Sequence, residues 1–252
     1  MRKNTIEAIR RHAQVCYPRE CCGLVVMKGS IEKYLPCENT AQDNDHFVIS
    51  AADYARAEDS GIVVAVVHSH PDETDRPSVA DRRLCNESGL SWLIVSVRKG
   101  EAAPTVRRIE PENQPVPLLG RAFSHGVQDC YTLVRDFYER EMGVQIPDFA
   151  RSDDWWKEGK DLYMDNFEQA GFYRLDADAA LQFGDVILMQ VSAQVANHAG
   201  VFVGAVDRLD NRPIFPALQN AFIHHLYGRL STREVYGGYW KDNTLAIVRY
   251  KQ

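Results

Sequence analysis

The feature that most restricts the fold is the run Ile62 to Val67, "IVVAVV", which stops at His68-Ser69-His70. Branched apolar residues in unbroken succession make a buried strand, and alternate side chains of a strand share one face. His68 and His70 therefore point the same way. Around this run the pattern alternates: a helix over Thr5 to Val15, a strand over Cys22 to Lys28, a helix over Ser50 to Asp59, a helix over Ser78 to Ser88, and a strand over Ser91 to Val97. The alternation predicts an α/β domain.

The 252 residues, 45% of them hydrophobic, are enough for two modest domains with separate cores. In "EPENQPVPLLG", Pro111, Pro115 and Pro117 remove backbone donors and stiffen a polar stretch. We place the boundary there: a first domain over 1–110, a linker over 111–119 and a second domain over 120–252. The second domain begins with a helix carrying Leu133, Val134, Phe137 and Tyr138 at helical spacing. A Trp- and charge-rich helical region is expected up to Ala180, followed by strands over Gly184 to Val191, His198 to Gly204, the stretch "AFIHHL" and the final "TLAIVRY". Helices first and an antiparallel sheet afterwards predict α+β.

A net charge of -6 without a basic block argues against nucleic acid as a partner. Charge interrupts the apolar residues of the first 20 positions, so no signal peptide is expected, and no later stretch predicts a membrane span. Synthesis is expected to end in the host cytoplasm. Cys16, Cys21, Cys22, Cys37 and Cys85 crowd the first third of the chain without the spacing of a secreted framework, and with Cys130 they read as reduced thiols. For Cys21 and Cys22, buried packing is favoured over metal binding.

Two imidazoles on one strand face and a carboxylate from the next helix make a three-ligand set for Zn²⁺ with a fourth position open. His68, His70 and Asp81 supply that set. Ser78 and Asp81 also read as an S-x-x-D capping pattern, so Ser78 is expected to cap a helix while its hydroxyl faces the cleft. "HSHPDETDRPSVAD" resembles the H-x-H-x7-S-x2-D signature of the JAMM (MPN-type) metallopeptidases over roughly the first 100 residues. The resemblance implies zinc, a catalytic glutamate on an earlier segment, for which Glu20 in "YPRECCGLVV" is the candidate, and Ser78 as a hydrogen-bond donor to the oxyanion. Taken alone, Glu20 would read as a solvated acid beside Arg19 or Arg2.

In the second domain Cys130 falls in the first turn of an amphipathic helix, where the helix dipole favours a thiolate. His198, opening "HAGVFVG", is the expected imidazole partner, and a third polar group should orient it. Alternation in "AFIHHLY" favours His224 over His225. This half resembles the NlpC-type cysteine peptidases through D-C and its helix, "FGDVILM" with Asp185, "NHAGVFVG" and the later histidine. The family often takes an upstream tyrosine as oxyanion donor, and none lies just before Cys130, which leaves His125 or backbone amides. Trp155 and Trp156 read either as core or as the wall of a substrate cleft.

A JAMM-like domain followed by an NlpC-like domain resembles the tail assembly proteins of long-tailed bacteriophages. The resemblance implies incorporation in a virion tail, other tail tip proteins as partners, and a cysteine endopeptidase acting on peptidoglycan stem peptides. It also implies a zinc peptidase processing a tail protein. The competing expectation is an assembly factor whose active sites are idle. A third is an isopeptidase for ubiquitin-like conjugates.

Overall fold

In the computed structural model, which describes residues 1–42, 46–112, 114–152 and 154–251, the apolar run at 62–67 lies in the middle of a five-stranded sheet. The chain divides into two units, Met1–Gln114 and Pro115–Gln252. The first contains α1 (Lys3–Cys16), β1 (Cys22–Lys28), β2 (Ile31–Cys37), α2 (Ala51–Ser60), β3 (Ile62–Pro71), α3 (Val79–Ser88), β4 (Ser91–Val97) and β5 (Thr105–Ile109). The sheet order is β2-β1-β3-β4-β5. β3 and β4 run parallel, joined through α3, and the other neighbours are antiparallel.

Both faces of this sheet are covered, which is why β3 is apolar without alternation. Ile9 and Ala13 of α1 pack on Val25, Ala65, Val67, Leu93 and Val95. On the other face Leu24, Val26, Val66 and Trp92 meet Ala57 of α2 and Cys85 of α3. β3 runs to Pro71, past the Val67 end expected from the apolar run, so His68 and His70 are themselves ladder residues, opposite Ile94 and Ser96 of β4. By the alternation of β3 they share the face of Val66, toward α3. β2 and β5 were not expected. Their sequences, "IEKYLPC" and "TVRRI", carry the charge and proline tolerated at sheet edges, and both flank the sheet.

The second unit contains α4 (Cys130–Phe137), α5 (Leu162–Asn166), β6 (Phe172–Arg174), β7 (Val186–Met189), β8 (His198–Gly204), the small ribbon β9 (Arg208–Leu209) and β10 (Arg212–Pro213), β11 (Ala221–His224), β12 (Thr232–Val235), α6 (Tyr239–Asp242) and β13 (Thr244–Tyr250). Its main sheet is antiparallel, in the order β12-β11-β8-β7-β13-β6. Leu133, Val134 and Phe137 of α4 pack against Leu188, Val201, Ile223 and Val248 of that sheet. α4 continues into a π-helical turn, Tyr138–Met142, which ends at Gly143 with a left-handed φ of 67°.

The helical region expected up to Ala180 is instead a 3₁₀ turn at Trp155–Glu158, the five-residue α5, the three-residue β6 and irregular chain. Asp154 and Gly159, at φ 58° and 77°, bound the 3₁₀ turn and break helical continuity. Trp155 is buried there by tertiary packing that no local period reveals. Residue 113 of the expected linker and residue 153 of the Trp-rich region lie outside the described residues.

Candidate active sites

The end of β3 and the start of α3 bring three side chains of the first unit together. His68 Nε2 lies 3.0 Å from Asp81 Oδ1, and His70 Nε2 lies 3.3 Å from Asp81 Oδ2. The two Nε2 atoms are 3.1 Å apart. All three residues are buried, and their ligand atoms lie within 4.8 Å of one another. His70 Nδ1 is 2.9 Å from the Thr74 carbonyl, so Nδ1 donates there and Nε2 is the nitrogen turned to the cluster. The His68 ring stacks on Phe47 at 4.8 Å and meets Trp92 edge-on, which fixes its plane.

Ser78 and Asp81 form a reciprocal capping box. The Asp81 amide donates to Ser78 Oγ at 3.1 Å, and the Ser78 amide donates to Asp81 Oδ2 at 2.7 Å. The Ser78 hydroxyl thus accepts one bond and keeps its own proton to donate. Glu20 is buried just before β1. β1 and β3 pair Cys22 with His68, and the Ser69 amide donates to the Cys21 carbonyl. Continuing that register sets Glu20 opposite His70, whose basicity its charge raises.

Desolvation works against charge throughout the cluster, yet the two imidazoles and the Ser78 amide hold Asp81 well below the usual carboxylate range. Burial pushes His68 down. For His70, burial is outweighed by Asp81 and the Thr74 carbonyl, which push it up to about 8. An ionised carboxylate between two imidazoles whose nitrogens converge is the donor set that a borderline divalent cation such as Zn²⁺ takes. The residues fit the metal. Cys21 and Cys22 do not join them: burial pushes both thiols up to about 12, and they pack in the two core layers of the sheet.

The second unit assembles its site from the first turn of α4 and the near ends of β8 and β11. Cys130 and His198 line one cleft of about 390 Å³, together with Phe123, His125, Trp155, Trp156, Tyr163 and Tyr227. Cys130 Sγ is 3.1 Å from Tyr163 Oη on α5, and the Ala199 amide also faces it. His198 Nε2 is 3.0 Å from His224 Nδ1, so Nδ1 is the His198 nitrogen not engaged with His224. His225, just past the end of β11, also lines the cleft, with its Nε2 at 3.1 Å from the Arg229 carbonyl; His224 lies behind His198, outside the cleft lining.

Asp129 caps α4 by accepting from the Thr132 amide at 2.9 Å, and Arg151 Nε donates to the same carboxylate at 2.9 Å. This brace ties α4 to the loop before Trp155. It also changes the electrostatics expected from the sequence. Burial first, then the Asp129 carboxylate, push the Cys130 thiol up to about 11 rather than down. Burial, then His224 and His225, push His198 down to about 3. The resting pair is a neutral thiol and a neutral imidazole, because desolvation outweighs a helix dipole already met by Asp129.

Tyr163 was not expected, since it lies 33 residues after Cys130 and its helix is only five residues long. His125 lines the same cleft, with Nε2 at 3.2 Å from the Ser152 carbonyl. Trp155 and Trp156 settle an ambiguity by doing both: Trp155 is buried, and both line the cleft. Asp185 is held by Arg249 at 2.7 and 2.8 Å and serves the fold.

Residues 2–110 match the family model described as prokaryotic homologs of the JAB domain, and residues 120–249 match the NlpC/P60 family. The chain is 42% identical to tail tip assembly protein K of Escherichia phage N15 over 255 residues, which cover 100% of this chain and 96% of that protein. The chain belongs to the tail tip assembly protein K family. Protein K of Escherichia phage lambda is 38% identical over 206 residues, covering 81% of this chain and 89% of its own length. Among solved structures, a JAB1/MPN domain protein from Archaeoglobus fulgidus aligns at 21% identity and a TM-score of 0.29, over 43% of this chain and 92% of that one. A solution structure of a Desulfitobacterium hafniense protein aligns at 28% and 0.38, over 44% and 82%. In this K-family chain the JAB domain carries the His68, His70 and Asp81 cluster, and the NlpC/P60 domain carries Cys130, His198 and His224. Among the described residues no helix is long and apolar enough to cross a membrane.

Proposed function

We propose that the NlpC/P60 domain hydrolyses an amide bond of the peptidoglycan stem peptide while a phage tail penetrates the cell wall. The observation that carries this reading is that Cys130 and His198 line one cleft while His224 holds the far nitrogen of His198. His198 Nδ1 takes the Cys130 proton as Sγ attacks the substrate carbonyl. The new C–S bond forms as the carbonyl π pair moves to oxygen, and Tyr163 Oη, next to Sγ, donates to that oxyanion. Burial first, then the neighbouring Cys130 and Asp129, push Tyr163 well above its ordinary value, so the phenol keeps its proton. His198 then returns its proton to the leaving amine as the C–N bond breaks, and water hydrolyses the thioester by the reverse sequence.

In the JAB domain His68, His70 and Asp81 are the residues that would hold Zn²⁺. Bound zinc would supply Lewis acidity toward a peptide carbonyl and toward water. Glu20 would serve as general base, and the Ser78 hydroxyl would donate to the substrate oxygen. We assign this domain a peptidase role toward a tail protein. Tail tip proteins are the natural partners, since the N15 and lambda relatives are named for tail tip assembly, and the virion tail is the expected destination.

Purified cell wall incubated with the wild type and with Cys130→Ala tests the first role, with muropeptides analysed by mass spectrometry. Release by the wild type alone supports it; equal release, or none from either, refutes it. The relatives' names also favour a second reading, in which the chain builds the tail and its sites stand idle. Infectious tails from a Cys130→Ala, His68→Ala double variant would favour assembly over hydrolysis.

A further inference from the structure

The imidazole of His224 is held on three sides. Phe222, on the same face of β11, stacks on it with ring centres 4.6 Å apart. Trp240 meets it edge-on at 4.5 Å, and His198 Nε2 lies 3.0 Å from its Nδ1. The other nitrogen, Nε2, is buried and lacks a hydrogen bond of normal geometry among the described residues. The group facing it is the carboxylate of Glu234, with Oε1 3.5 Å away. Glu234 sits on β12 opposite Phe222 in the ladder, and its second oxygen accepts the Trp240 indole N–H at 2.8 Å. The acid is therefore tethered beside His224 by the same tryptophan that walls the ring.

We propose that Glu234 is a positioning residue that draws the His224 proton to Nε2 and so sets the tautomer of both imidazoles. This rests on the hydrolytic reading given above. The bond between His198 Nε2 and His224 Nδ1 holds one proton, and there are two ways to place it. If His224 Nδ1 donates, its Nε2 lone pair faces the Glu234 carboxylate, and His198 must carry its own proton on Nδ1. A donor then points at Cys130, and His198 cannot accept the thiol proton. If His198 Nε2 donates, His224 carries its proton on Nε2, toward the carboxylate, and His198 Nδ1 offers a lone pair to the thiol. The His224 ring is buried although Glu234 is partly exposed, and at 3.5 Å a carboxylate attracts an N–H and repels a lone pair. The second placement wins.

The other charged and titratable neighbours bear on the charge of the pair. His225 and His224 disfavour charge on His198, and Arg229 disfavours it on His224. Glu234 is the group that favours a positive His224, so it also supports the imidazolium formed transiently when the thiol gives up its proton. The line thus runs from a partly exposed carboxylate through two buried rings to the cleft that Cys130 also lines.

The test reads tautomers directly. Full-length protein labelled with ¹⁵N-histidine reports the protonated nitrogen of each ring by long-range ¹H–¹⁵N correlation, with His224 assigned by its loss in His224→Asn. We expect His224 protonated on Nε2 in the wild type, shifted toward Nδ1 in Glu234→Ala, and restored in Glu234→Gln, whose amide oxygen accepts the same N–H. On a muropeptide substrate, Glu234→Ala should lower kcat 10- to 100-fold with KM unchanged, and Glu234→Gln should recover most of it. A wild-type His224 protonated on Nδ1, a tautomer indifferent to Glu234→Ala, or an unchanged kcat in a chain that cleaves would each overturn the proposal. If the wild type cleaves no muropeptide, the hydrolytic reading fails on its own and the tautomer measurement still decides the role of Glu234.

Discussion

Acid should loosen β8 from the sheet before it affects the rest of the NlpC/P60 domain, and His198 sets the scale. In the unfolded chain this histidine titrates at its ordinary value near 6.5, whereas in the fold burial, then His224 and His225, hold it down to about 3. Between those values the unfolded chain binds a proton that the folded chain refuses. Stability is therefore full above pH 6.5 and is lost as the pH falls toward 3. Lowering the pH from 6.5 to 4 spans about 2.5 pH units, at about 1.4 kcal/mol each, so His198 alone removes about 3 kcal/mol. That is a large share of the stability of an ordinary domain. His225, pushed down to about 4 by burial and then Arg121, acts in the same direction. Hydrogen exchange of the amides of 198–204, corrected for the intrinsic rate at each pH, measures the opening free energy of β8. His198→Gln isolates the contribution, because it keeps a polar side chain but cannot titrate. The reasoning is refuted if β8 in the wild type changes by less than about 1 kcal/mol, or if the variant loses as much as the wild type.

Four further outcomes follow. Because His198 stays neutral down to about pH 3 and the Cys130 thiol up to about 11, kcat/KM on a muropeptide should be level through the neutral range, with its acid limb below the ordinary imidazole region. An acid limb centred near 6.5 would show an ordinary imidazole instead. Tyr163→Phe should lower kcat by about 10²-fold, the cost of one oxyanion donor, while the thiol still reacts stoichiometrically with a disulfide reagent. Arg151→Met leaves the buried Asp129 carboxylate without its cation and should cost about 3 to 5 kcal/mol in urea unfolding. In the JAB domain, the His68→Ala, His70→Ala pair should abolish zinc retention by elemental analysis, and metal kept at one equivalent would contradict the ligand set.

The two sites differ in how much of each was legible. His68 and His70 share a strand face by parity, and Asp81 falls in a capping box only four residues long, so the cluster is written almost locally. His198 and His224 are also read by alternation, from strands that neighbour each other in the sheet. Tyr163 and Glu234 carry no such period. Their places depend on how Trp155 and Trp240 pack, which is decided by contacts distant in sequence. The helix dipole at Cys130 was read correctly as a force but not as the winning one, because Asp129, one residue away, both meets the dipole and repels a thiolate. The edge strands β2 and β5 lay hidden because the charge that protects an edge also erases the apolar alternation that marks a strand.

Asp81 keeps the helix start and the imidazole pair in a single carboxylate, one oxygen of which accepts the Ser78 amide. Altering this position is consequently a double lesion, and loss of metal after Asp81→Ala would not by itself distinguish a missing ligand from an unravelled first turn. Anyone retuning this centre for another ion should vary position 81 only among residues that still satisfy the Ser78 N–H. Asp81→Asn is the informative swap, since it spares the cap and removes the negative charge.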